Sequence, residues 1–118
     1  MEVSVSNHGA DAVPVVGVSG EVDVYAAPAL REGLTELLHE GQSVVVDLTE
    51  VGFLDSTGLG ALVAARTTAA ERGASLALVC THQRILKLFT ITGLDGVFSI
   101  HATVEGAIAG LRDHATGS

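Results

Sequence analysis

Aromatic side chains are scarce in this chain: its 118 residues include no Trp, one Tyr and three Phe. A core must therefore be assembled from Val, Leu, Ile and Ala, which fill space in small steps and demand close packing. The lone cysteine, Cys80, excludes a disulfide framework within the chain and fits a reducing compartment. It closes an apolar stretch, where a buried, unreactive thiol is expected. Six basic residues stand against fourteen acidic ones, for a formal charge of -8. Scattered singly, the basic residues cannot build the phosphate-neutralising patch of a nucleic-acid surface, so no nucleic-acid partner is expected. The acidity suits solubility or a partner with a basic patch. No apolar run reaches membrane-spanning length, and MEVSVSNHGADAV lacks the basic start and apolar centre of a signal peptide. A cytoplasmic location is expected.

What is present is an even spread of apolar residues, 47% of the chain, enough for one packed domain and too short for two. Residues 1–113 are expected to form it, with 114–118 a frayed tail. Alternation at Val3 and Val5 gives a short, half-buried edge strand over Met1–Ser6. Asn7 to Asp11 has turn chemistry, and Ala12–Val22 reads as the second strand of an antiparallel hairpin. Pro14 is expected near that strand's start or at an irregularity. Pro28 then suits the first turn of a helix whose buried face carries Leu30, Leu34, Leu37 and Leu38, with Gly41 as its stop.

Ser43–Leu48 is nearly continuous in Val, as in a parallel strand buried on both faces. A short loop and the hexad Asp55-Ser56-Thr57-Gly58-Leu59-Gly60 lead into a second helix with Leu59, Leu62, Val63 and Ala70 inward. Ser75–Cys80 is the next strand. Thr81 is expected to cap a third helix through Thr92, with Ile85, Leu88 and Phe89 inward and Gly93 as its stop. Val97–Ile100 is a last short strand, and Thr103 caps a fourth helix with Val104, Ala107, Ile108 and Leu111 inward. The order β-β-α-β-α-β-α-β-α implies an α/β domain: a mixed, mostly parallel sheet with an N-terminal antiparallel hairpin and about four helices.

Enzyme signatures fail one by one. Around Ser56 the nucleophile elbow of serine hydrolases is half missing, with Leu54 where a small residue is needed. A phosphate-cradling loop needs a Lys before Ser or Thr, and the one lysine is Lys87. His8, His39, His82, His101 and His114 are dispersed and read as surface or turn residues, so no metal site, cofactor or catalytic residue is expected. Ser56 has two readings. It is a helix cap, or a hydroxyl placed for a phosphate beside the free N–H groups of a helix start. Three features favour the second. Asp55 already offers a capping side chain, and Gly58 and Gly60 are each poor in a first helical turn by roughly 1 kcal/mol against Ala. Such glycines permit close approach of another surface.

Three segments, Gly20 to Pro28, Asp55 to Gly60 and Leu88 to Leu94, occur in the order and spacing of a known family. On them the chain resembles, over nearly its whole length, the bacterial anti-sigma factor antagonists of the STAS class, close to those of general stress responses. The resemblance implies a protein without catalysis of its own. Its unphosphorylated form would bind an anti-sigma factor that is also a serine kinase and release a sigma factor. ATP-dependent phosphorylation of Ser56 would end that binding, and a metal-dependent serine phosphatase would restore it. It also implies a partner surface at Asp23, Asp55, Ser56, Thr57, Gly58 and Leu59, with Leu59 divided between core and contact. Thr57 matches a non-accepting position, and Thr90 stands where many relatives have Asp. The alternative is a STAS module of a transport or signalling complex that works without phosphorylation; such relatives often lack the serine.

Overall fold

The computed structural model describes residues 1–9 and 12–117, with side chains in the last helix described as far as Leu111. Its strands are β1 (Glu2–His8), β2 (Val13–Val22), β3 (Val44–Leu54), β4 (Leu76–Val79) and β5 (Ser99–His101). Its helices are α1 (Ala27–His39), α2 (Ser56–Glu71), α3 (Gln83–Ile91) and α4 (Val104–Gly117), with a 3-10 turn at Leu94–Gly96. The five strands lie in spatial order β1-β2-β3-β4-β5, antiparallel between β1 and β2 and parallel thereafter. The expected α/β architecture, with its N-terminal hairpin and four helices, is therefore present.

Strand order that advances steadily, with crossovers of one hand, sends every connecting helix to the same sheet face. The packing shows that result. One apolar cluster joins Leu30, Leu34 and Leu38 of α1, Leu59, Leu62 and Ala65 of α2, and Ile85 and Phe89 of α3 to Val16, Val46 and Leu48 of the sheet. The opposite face carries α4, whose Ala107, Ile108 and Leu111 pack on Val15, Val45, Ala77 and Val79. Adjacent residues of β3 thus enter different cores, and Val44, Val45 and Val46 are all fully buried. That is why this stretch reads as a continuous apolar run. Phe89 and Phe98 meet edge to face, with ring centroids 5.7 Å apart, and supply the core's aromatic volume.

Several expectations need correction. The strand expected to stop at Leu48 continues to Leu54, so the short loop before the hexad does not exist. Residues 50–54 pair with Ser19–Val22 through two register shifts, which break the alternation by which a strand is recognised. Strand β1 is longer than expected and exposed throughout, with Val3 46% and Val5 56% exposed, so it is not half-buried. In α2 the inward residues are Leu59, Ala61, Leu62, Ala65 and Ala69, whereas Val63 and Ala70 face outward. Leu59 and Leu62 are inward as expected; Val63 and Ala70 were misassigned because alanines occur all round this helix and mark its phase weakly. Thr81 does not cap α3; His82 does, its Nδ1 accepting from the Arg84 N–H at 3.3 Å. The last strand starts two residues later than expected. Pro14 pairs with Asn7 at the second position of β2, and Thr103 Oγ1 accepts from the Gly106 N–H at 3.0 Å, both as expected. Gly41 and Gly93 follow helix ends with φ of 82° and 75°, the left-handed conformation that a glycine stop requires. Part of the expected 7–11 turn and the last residue of the expected 114–118 tail lie outside the described residues; α4 carries its helical backbone through Gly117.

The phase of α2 is directly measurable. Leu62→Ala is expected to lose about 2–5 kcal/mol of unfolding free energy in urea titrations, and Val63→Ala no more than about 0.5–1 kcal/mol. Equal losses would place both side chains in the core and contradict this packing.

Candidate functional site

Strands β2 and β3 run parallel and end in step, Val22 beside Leu54. The residues that follow them, Asp23 and Asp55, therefore leave the sheet side by side, and the Asp55 N–H donates to the Val22 carbonyl at 3.4 Å. Each aspartate then folds back on its own chain. Asp23 Oδ1 accepts from the N–H groups of Tyr25 at 3.1 Å and Ala26 at 3.0 Å, setting the entry to α1. Asp55 Oδ1 accepts from the N–H groups of Thr57 and Gly58, both at 3.0 Å, and from the Thr57 hydroxyl. Asp55 is thus the N-cap of α2, and its side chain satisfies donors a helix start leaves open.

Ser56 is exposed at the first position of α2, and its hydroxyl takes part in none of these capping bonds. The cap reading of Ser56 is therefore corrected: the cap is Asp55, whose carboxylate already holds two of the N–H groups at the helix start, those of Thr57 and Gly58. The Thr57 hydroxyl first, then the Gly58 and Thr57 N–H groups, hold the Asp55 carboxyl below its ordinary value of 3.8, against a smaller opposing effect of desolvation.

The six expected contact residues divide. Asp23, Asp55, Ser56 and Thr57 share one end of the sheet, half-buried or exposed. Gly58 and Leu59 turn inward. Leu59 is 5% exposed and belongs to the core, so its ambiguity resolves toward packing. Gly58 lies so close to the strand ends that a Cβ there would stand 2.5 Å from Leu54 Cδ1 and 2.8 Å from the Val22 carbonyl oxygen. The close approach this glycine permits is internal. A Cβ on Gly60 meets nothing within 4 Å, and Gly60 is exposed.

Three exposed side chains near these residues in the chain were not singled out from the sequence: Val24, 54% exposed, and Tyr25, 89%, one and two residues after Asp23, and Phe53, 48%, two before Asp55. In a chain with so few aromatics, two of the four lie exposed beside this site. Phe53 was hidden because its segment was taken for a loop; its rarity was the available signal. Among the described residues no group of three His, Cys, Asp or Glu could hold a metal ion. His8 pairs with Ser6 and His101 with Ser99, His82 caps α3, and the His114 side chain lies outside the described residues. Cys80 is buried, and desolvation pushes its thiol up, away from reactivity.

The five-stranded sheet opened by a hairpin, with four helices, agrees with the family model that matches residues 4–107, described as STAS domain. The anti-sigma-B factor antagonist of Bacillus subtilis is 41% identical over 93 residues, covering 79% of this chain and 85% of that protein. A solved anti-sigma factor antagonist from Mycobacterium paratuberculosis superposes with a TM-score of 0.82 at 30% identity, over 95% of this chain and 96% of the other. The Bacillus cell fate determinant SpoIIAA, solved in its phosphorylated form, shares the fold with a TM-score of 0.70 at 20% identity, over 92% and 97% of the two chains. The chain belongs to the STAS-domain family as one of its anti-sigma factor antagonists. No helix among the described residues is long and apolar enough to cross a membrane.

Two outcomes test this geometry. Gly58→Ala is expected to cost about 1–3 kcal/mol by overpacking, whereas Gly60→Ala keeps or raises stability by up to about 1 kcal/mol through helix propensity. Thermal melts of both rank them; a tolerated Gly58→Ala refutes the close packing. Asp55 carries a lowered folded-state pKa, so its stabilisation is complete above the ordinary carboxylate range and is lost as pH falls through the folded value. The melting-temperature advantage over Asp55→Asn is expected to shrink on acidification below about pH 4, and an advantage constant with pH would contradict the assignment.

Proposed function

We propose that Ser56 is the phosphoacceptor and that the strand-end surface around it, with Asp23, Asp55, Thr57 and the exposed Val24, Tyr25 and Phe53, docks an anti-sigma factor that is also its serine kinase. The unmodified chain binds this partner and frees a sigma factor. Transfer of the ATP γ-phosphoryl group to the Ser56 oxygen, with the hydroxyl proton passing to a base of the kinase, ends the binding. A separate serine phosphatase hydrolyses the phosphoester and resets the chain.

The observation that carries this reading is the division of labour at the start of α2. Asp55 makes the capping bonds, so the Ser56 hydroxyl has no structural duty there and stands exposed. A group can be attached to it without dismantling the helix. Phosphoserine adds about −1.5 to −2 charges at neutral pH. Because the Thr57 and Gly58 N–H groups are already held by Asp55, this dianion adds to the charge of the Asp55 and Asp23 carboxylates with fewer internal donors to neutralise it. The docking surface is otherwise apolar at Val24, Tyr25 and Phe53. Bringing a partner onto it would strip water from the dianion, which is costly without a compensating cation. Each 1.4 kcal/mol so lost is about tenfold in affinity.

Incubation with ATP and the serine kinase of its own cell is expected to add one phosphate to the intact mass, mapped to Ser56. Ser56→Ala is expected to resist modification and keep partner affinity, while Ser56→Asp binds at least about tenfold more weakly. Modification elsewhere, or equal binding by the two variants, would defeat the proposal.

A further inference from the structure

Strand β1 is an open sheet edge. It presents seven exposed residues with no Lys, no Pro and no pairing irregularity against β2, so of the usual protections against edge-to-edge association it carries only one charged side chain, Glu2, at its end. Its two sides differ. Val3 and Val5 stand opposite Val18 and Val16 on the face that carries α1, and with Met1 they form one wall of an apolar groove of about 200 Å³ whose other wall includes Ala29, Gly33 and Leu37. Glu2, Ser4, Ser6 and His8 lie on the other side of the strand, where Ser4 and Ser6 stand opposite Gly17 and Val15.

We propose that this edge pairs with β1 of a second copy of the chain, antiparallel about a two-fold axis at Val5. Directly opposed residues must point to the same side of the sheet, so only registers centred on a residue are allowed. Of these, the register centred on Val5 alone overlaps all of residues 2–8. It sets Glu2 against His8 of the partner twice over, Ser4 against Ser6, and Val5 against Val5. The strand's one acid and one imidazole are thus complementary in the register that also gives the longest ladder. A two-fold axis normal to the sheet brings both α1 helices to the same face, where the two grooves join end to end, Val5 meets Val5 and each Val3 stands against Asn7 of the other copy. Asp23, Ser56 and Thr57 do not line the groove, so pairing leaves the phosphoacceptor surface free and does not depend on the function proposed for it.

Light scattering behind size exclusion is expected to show, at high chain concentration, a mass about twice the 12.0 kDa of one chain. Val5→Lys is expected to hold the chain monomeric with an unchanged melting profile of the folded chain, since the side chain is exposed. Glu2→Lys and His8→Glu, each placing like or mismatched charges opposite one another, are each expected to weaken pairing about tenfold. The double variant Glu2→Lys with His8→Glu restores it. A monomer at every accessible concentration overturns the proposal, as does a dimer indifferent to Val5→Lys or a double variant no better than the singles. A monomer whose Val5→Lys variant loses kinase binding overturns it too, by giving the groove to a different protein.

Discussion

The contact that the strand-end surface depends on is the approach of Gly58 to Val22 and Leu54. It brings the first turn of α2 down onto the ends of β2 and β3, closer than any side chain would allow. Two consequences follow. The paired strand ends put Asp23 and Asp55 side by side, and the seating of α2 fixes Asp55 as its cap while leaving Ser56 outside. Leu59 then enters the core one residue later, and the apolar stripe Leu62, Ala65, Ala69 continues along the sheet. The first of the paired glycines is thus structural, whereas Gly60 lies open, and the hexad combines an internal anchor with an external hydroxyl.

With Ser56 phosphorylated as proposed, this arrangement would let a covalent change act on binding without acting on the fold. Helix starts favour anions when their N–H groups are free. Here Asp55 already holds the Thr57 and Gly58 N–H groups, so a phosphate on Ser56 would remain largely as surface charge. It would follow the Asp55 carboxylate in the chain, on a protein of net charge -8. A switch built this way needs no second conformation of the chain; it needs a partner that tolerates the uncharged hydroxyl and not the dianion. Asp23, Ser56 and Thr57 do not line the groove at the open edge of β1, so the proposed self-association and the proposed partner exchange would use different residues.

Much of the fold was legible because burial wrote itself into period and composition. The Val run of β3 sits between two cores, and the leucines of α1 recur on one face. The failures are as physical. Residues 49–54 lost strand periodicity to the two register shifts, so Phe53 was assigned to a loop and its exposure beside the site went unseen. Alanines around α2 encode its phase weakly, which misplaced Val63 and Ala70. The hexad was legible as a helix start with a redundant cap. That Asp55 takes the cap outright, and that Gly58 packs inward rather than toward a partner, required the relative placement of two strand ends.

The most direct test compares amide proton and nitrogen shifts of the chain before and after phosphorylation. The account predicts large changes confined to the strand-end surface, at residues 22–26 and 53–60, with the amides of β4, β5 and α4 unmoved and the Thr57 and Gly58 N–H groups still bonded to Asp55. Changes spread through β4, β5 and α4 would show that the phosphate acts by reshaping the fold and would contradict it.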